Sequence, residues 1–177
     1  MKRKTFLINA ITLFLFIILS SSISYAADDA YSRESLRNLE GVEVLVGIEK
    51  STSITKLKLT KRQLRTDAEL KLRLAGINVI PAEELSYSHG IPMLYIGLNI
   101  ISNKDESLYV YGSRAEFTQA VTLYRENHVL HPTAITWDSV AIGFITGSSN
   151  PEETMRESLK NHIDRFINAY LSVNPKK

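Results

Sequence analysis

The sequence contains no cysteine. That absence excludes a thiol nucleophile, disulfide staples, thiolate-ligated metal and lipid attachment through a cysteine. Phosphate-cradling glycine patterns are missing as well. There is neither G-x-G-x-x-G nor a P-loop, so nucleotide binding has no motif to rest on. No G-x-S-x-G elbow presents a serine nucleophile. Ser53-x-x-Lys56 and Ser148-Ser149-Asn150 mimic two elements of penicillin-recognising enzymes, but the accompanying K-T-G is absent and Ser53 sits in a polar stretch rather than at a helix start.

Histidine is scarce, with His89, His128, His131 and His162 the only four. His128 and His131 lie close together in a connection, yet no Asp or Glu stands at an obvious spacing as a third ligand, and zinc sites use three or four. His162 falls beside the apolar stripe of the final helix and reads as a packed residue. No metal and no cofactor is therefore expected.

An excess of charge is also lacking. The whole chain is +2. Residues 1–26 hold three basic and no acidic residues, which leaves 18 Lys+Arg against 19 Asp+Glu in 27–177, a net charge near −1. A general nucleic-acid-binding footprint is not there. The longest apolar run, Phe6 to Leu19, is broken by Asn9 and Thr12 and is shorter than the ~20 residues that span a bilayer. Lys2, Arg3 and Lys4 precede it, and Ser24-Tyr25-Ala26 follows with a small-x-small pattern. These features predict a signal peptide over 1–26, cut after Ala26, and a periplasmic or secreted protein; an uncleaved membrane anchor is the alternative. Residues 27–177 are long enough for one domain with one core.

What is present organises that domain. Residues 32–39 predict a short helix capped by Ser32. Val42, Val44, Val46 and Ile48 alternate as a strand. Thr60 and Gln63 form a capping box, with Leu59 and Leu64 as a hydrophobic staple. Leu64, Ala68, Leu72 and Ala75 then share a helix face, and Gly76 with Ile77 provides a Schellman ending. A short strand over 77–80 stops at Pro81.

Residues 93–101 and 107–124 predict a hairpin turning at 103–106. Pairing Ser102 with Ser107 sets Ile100, Leu98, Ile96 and Leu94 opposite Tyr109, Tyr111, Ser113 and Ala115, and Gly97 opposite Gly112. A one-residue slip would oppose the aliphatic face to Arg114 and Glu116. Paired glycines would mark a bend or a place where another chain comes close. The last strand spans 133–146. Asn150, Pro151 and Glu153 then open a helix whose stripe is Met155, Leu159, Ile163, Phe166, Ile167 and Tyr170.

The fold class expected is α+β: a mainly antiparallel sheet of four to five strands, with two amphipathic helices packed on one face.

Lys56, Lys58, Lys61, Arg62, Arg65, Lys71 and Arg73 cluster against only Asp67 and Glu69. They suggest either a surface for an anionic envelope component or simply the solvated face of a helix. A possible binding surface thus comprises Lys56, Lys58, Lys61, Arg62 and Arg65, together with Tyr95 and Asn99 on the outer face of the sheet.

The segments "LRTDAELKLRLAGINVI", "IPMLYIGLNI", "YVYGSRAEFTQAVTLYR", "AITWDSVAIGF" and "HIDRFINAYLSVNP" resemble a family of small exported bacterial proteins of unknown function. The element order is similar to that of the TolB amino-terminal domain and related envelope-assembly modules. The resemblance implies an envelope role and supplies no catalytic residue.

The leading expectation is a non-enzymatic binding or adaptor module whose partner is another envelope protein. A binder of an anionic ligand through 56–73 ranks second. A hydrolase around His128, His131 and Asp138 ranks third. The lone Trp137 either faces the helices as a core anchor, leaving Asp138 outside, or the parity is reversed; burial of the large ring favours the first.

Overall fold

The computed structural model describes residues 28–85, 88, 90–122, 129–146 and 150–175, with the backbone alone for 129–132. The predicted signal peptide, His89 and the side chains of His128 and His131 lie outside the described residues. The elements are α1 (Ala30–Glu34), β1 (Glu43–Lys50), α2 (Lys61–Leu74), β2 (Met93–Ser102), β3 (Leu108–Thr122), β4 (Val129–Thr146) and α3 (Pro151–Val173).

The strands form one sheet in the order β1-β2-β3-β4. β1 runs parallel to β2, joined by a crossover that contains α2, and β2-β3 and β3-β4 are antiparallel. The architecture is the expected α+β one, with a mixed sheet whose helices pack against a single face.

Local chemistry bounds the two long helices. Thr60 accepts from the Gln63 amide, and the Gln63 side chain reaches back to the Thr60 amide, so two orphan donors are satisfied at once. At the other end Gly76 takes a φ of 83°, and the Ile77 amide bonds back to the Leu72 carbonyl at 2.9 Å. Asn150 caps α3 by accepting from the amides of Glu152 and Glu153, with Pro151 in the first turn. The first helix departs from expectation. It starts at Ala30, and Asp29 is its cap, while Ser32 is the reciprocating partner of the box. The predicted 77–80 strand is reduced to a single parallel bridge, Val42 to Val79.

The core lies between the sheet and the helices. Val44 of β1, Leu94, Ile96, Leu98 and Ile100 of β2, and Tyr109, Tyr111, Ala115 and Phe117 of β3 are buried against Leu64, Ala68 and Leu72 of α2 and Met155, Leu159, Ile163 and Phe166 of α3. Trp137 is fully buried. Its ring meets Phe166 edge-on at 5.3 Å, and Phe166 lies 5.7 Å from Phe117. The parity question is thereby answered: Trp137 faces the helices and Asp138 the other side.

The hairpin register differs from the predicted one by two residues. Ser102 pairs with Tyr109, Ile100 with Tyr111, Leu98 with Ser113, Ile96 with Ala115 and Leu94 with Phe117. The turn is longer because Asn103 Oδ1 accepts the Leu108 amide at 3.0 Å and Glu106 adopts a φ of 56°. A shift of two preserves every face, so burial could not distinguish the two registers. Gly112 consequently lies opposite Asn99, and Gly97 opposite Arg114.

β4 begins at Val129, earlier than expected. A bulge between Phe117 and Thr118 sets Phe117 opposite Trp137 but Thr118 opposite Ile135. The extra residue, Thr136, turns Ile135 outward, where it is exposed.

Candidate functional surface

Among the described residues no helix packs on the outer face of the sheet, and its side chains are ordered by the ladder. Reading across β2, β3 and β4, one row is Ile101, Val110 and Phe144. The next is Asn99, Gly112 and Ile142, followed by Gly97, Arg114 and Val140, then Tyr95, Glu116 and Asp138. The surface divides into two halves. Toward the β2-β3 turn it is apolar and open: Ile142 is 83% exposed, Phe144 77% and Ile101 60%. Toward the other end it is polar. The Arg114 guanidinium lies over the Tyr95 ring at 5.3 Å, and Arg114 pairs with Glu116 at 3.4 Å. The Arg114 pKa is raised, first by the Tyr95 side chain and then by the charges of Glu116 and Glu49, against the opposing effect of burial.

The seven residues proposed from sequence do not converge. Tyr95 and Asn99 are on this outer face. Lys61, Arg62 and Arg65 are on α2, which covers the opposite face, and Lys56 and Lys58 are in the loop that precedes it. Much of the basic cluster is engaged internally. Arg65 and Arg73 share Glu69, Lys71 pairs with Asp164, and the Lys56 ammonium donates to the Asp105 carbonyl. The preceding loop is clamped by Glu106, whose carboxylate accepts from the amides of Thr55 and Lys56 and from the Tyr109 hydroxyl. Those hydrogen bonds, Tyr109 first, pull the Glu106 pKa down to about 2.

A second polar arrangement lies inside the core. His162 of α3 is 3% exposed and sits between Ser139 Oγ, 2.7 Å from Nδ1, and Ser113 Oγ, 3.0 Å from Nε2. Arg165 donates to Ser139 Oγ at 3.3 Å, and Ser113 Oγ meets Ser158 Oγ at 2.8 Å. Burial, then the Arg165 charge, push the His162 pKa down to about 4. A histidine serving as general base works best with a pKa near its working pH, and in the serine-protease triad a carboxylate stands behind it. Here the charged neighbour is a guanidinium and the imidazole is held neutral. The arrangement ties α3 to β3 and β4.

Sequence reasoning passed over this group, although a signal was present. Ser113 and Ser139 occupy core-facing positions of their strands, and three polar side chains at buried parity require one another.

An open groove of about 550 Å³ beside α3 is lined by Tyr111, Asn150, Glu153, Glu157, Ser158 and Asn161. Among the described residues, no three His, Asp or Glu side chains converge in a metal-binding geometry. Among the same residues, no helix is long and apolar enough to cross a membrane.

No protein-family model and no curated relative matches the sequence. Among solved structures, the chain is similar to a variant of the PelC dodecamer from Paraburkholderia phytofirmans, with 15% identity over 76% of this chain and 92% of that one and a TM-score of 0.40. A second PelC dodecamer structure from the same organism gives 14% identity over 73% and 90%, with a TM-score of 0.41. Function does not travel with likeness of this degree.

Proposed function

We propose that this chain is a non-enzymatic binding module of the bacterial envelope, exported by a leader cut after Ala26, and that the sheet face opposite the described helices docks a protein. The supporting observation is the exposed apolar half of that face, where Ile101 of β2 and Phe144 of β4 share a row across Val110 of β3, with Ile142 of β4 in the next row. Large contiguous apolar surface is costly to leave in water and marks interaction sites. The absence of excess charge in 27–177 suits protein contact better than a polyanion.

The test places a photo-crosslinking residue at position 144, or as a control at position 62 on α2, in cells expressing the full chain. The expected result is a protein adduct from position 144 that disappears when Ile142→Asp is added. No protein adduct from position 144, or adducts from both positions alike, would overturn the reading.

A second reading rests on Lys58, Lys61 and Arg62, which are exposed and make no ion pair among the described residues. On this reading they bind an anionic envelope ligand. Reversing all three charges then abolishes retention on anionic vesicles, and unchanged retention refutes it.

A further inference from the structure

Glycine inside a strand weakens it and needs a reason. Three sheet glycines have one within the chain. A Cβ on Gly47 would lie 2.1 Å from the Tyr95 hydroxyl oxygen, one on Gly97 2.7 Å from the Tyr95 ring, and one on Gly143 2.5 Å from Tyr111. Gly112 differs. Among the described residues a Cβ there meets nothing within 4 Å, and its φ lies outside the left-handed range. Neither crowding nor backbone conformation inside the molecule calls for glycine at this position.

Its surroundings suggest what does. Gly112 leaves a hollow on the outer face, and Ile142, its ladder partner, stands beside that hollow with Phe144 one row further along. A hollow and two projecting apolar side chains thus lie together on β3 and β4, with the exposed Glu49 of β1 two strands from Gly112 in the same row. We propose, building on the docking face argued above, that the occupant of this face is a second copy of the chain, with Phe144 of each copy seated over Gly112 of the other.

The geometry permits the pairing. A two-fold axis lying between the two sheets, midway between Gly112 and Phe144, exchanges the two positions, as an isologous interface requires. Sheets packed face to face sit ~10 Å apart, a gap that facing side chains fill when one side provides a hollow. A patch of the size monomers commonly expose, on the order of 500 Å², would bury about 1,000 Å² over two copies, the lower limit for a specific interface. The near balance of 18 basic and 19 acidic residues in 27–177 imposes little self-repulsion. Charged Arg114, Glu116 and Asp138 fall outside the rows of Gly112 and Phe144, and Glu49 ends the Gly112 row on β1, so the contact is limited to the β3-β4 side of one half of the face.

The experiment is sedimentation velocity over a concentration series, on protein recovered after expression of the full chain. Wild type is expected to show a reversible monomer–dimer equilibrium. Gly112→Val and Phe144→Asp should each weaken it at least about tenfold. Gly112→Val should leave the thermal midpoint of the dilute, monomeric protein unchanged or raise it, because the added methyls meet open space and valine favours strands. If Gly112→Val does not fold, Phe144→Asp decides, since Phe144 is already exposed. A wild type that stays monomeric throughout, or association that survives both substitutions, overturns the proposal. The position-144 crosslink separates the two claims. An adduct only with a different protein refutes self-association and leaves the docking face standing, whereas no protein adduct removes both.

Discussion

Trp137 Nε1 donates a hydrogen bond to Asp28 Oδ1 at 3.0 Å, across 109 positions of sequence. The same carboxylate accepts Arg33 Nε at 2.7 Å and Nη2 at 3.0 Å. The polar tip of the buried indole is thus satisfied by the first described residue of the chain and not by Asp138 beside it. Burial works against the charged Asp28, but the hydrogen bonds from Arg33 and Trp137 outweigh it and keep the pKa low. Asp28→Ala leaves the indole N–H unpaired in the core and should cost about 1–3 kcal/mol. Urea unfolding followed by the fluorescence of the single tryptophan measures this; an unchanged midpoint would contradict it.

His162 makes stability depend on pH. Its folded pKa is about 4, against 6.5 for an ordinary histidine. Between those values the unfolded chain binds a proton that the folded chain refuses. The contribution is complete above about pH 6.5 and declines as pH falls toward about 4, by up to a few kcal/mol. Urea titrations at a series of pH values should show that slope, and His162→Gln should flatten it. Equal slopes in the two proteins would assign the acid sensitivity elsewhere.

The ends of α2 carry separable contributions. Thr60→Ala removes the capping box and should cost about 1 kcal/mol. Gly76→Ala forces a Cβ into a φ of 83° and should cost about 1 kcal/mol. The sites are fourteen helical residues apart and share no partner, so the double variant should show the sum. Strong non-additivity in thermal unfolding would mean that the helix frays as one unit.

Glu106 should govern the order of the loop before α2. Replacing it with Ala removes acceptors for the Thr55 and Lys56 amides. Hydrogen exchange at those two amides should accelerate, while exchange within α2 should not. Protection that persists in the variant would show that the loop is held by Lys50, which donates to the carbonyls of Leu57 and Leu59.

Much of the framework was legible because it is written locally. Thr60, Gln63, Gly76, Asn150 and Pro151 signal helix ends through hydrogen bonds that span a few residues. Alternation in β2 and β3 correctly sorted inner from outer side chains. The register escaped because a slip of two keeps the same faces and depends on how Asn103 and Glu106 shape the turn. Ile135 escaped because a bulge inverts parity without altering the alternation on either side. The seven-residue surface failed to converge because neither the run of basic residues over 56–65 nor the alternation in β2 says which face of the sheet α2 covers.

Sequence alone determined both ends of α2, the start of α3, the core-facing positions of β2 and the lack of thiol and phosphate-binding motifs, since each depends on residue type and short-range periodicity. Tertiary structure decided the parallel pairing of β1 with β2, the pairing of Trp137 with Asp28, the burial of His162 between two serines, and the open space over Gly112. These relationships join residues far apart in the chain. They exist only once burial forces polar groups to find partners and gathers the described helices on one face of the sheet.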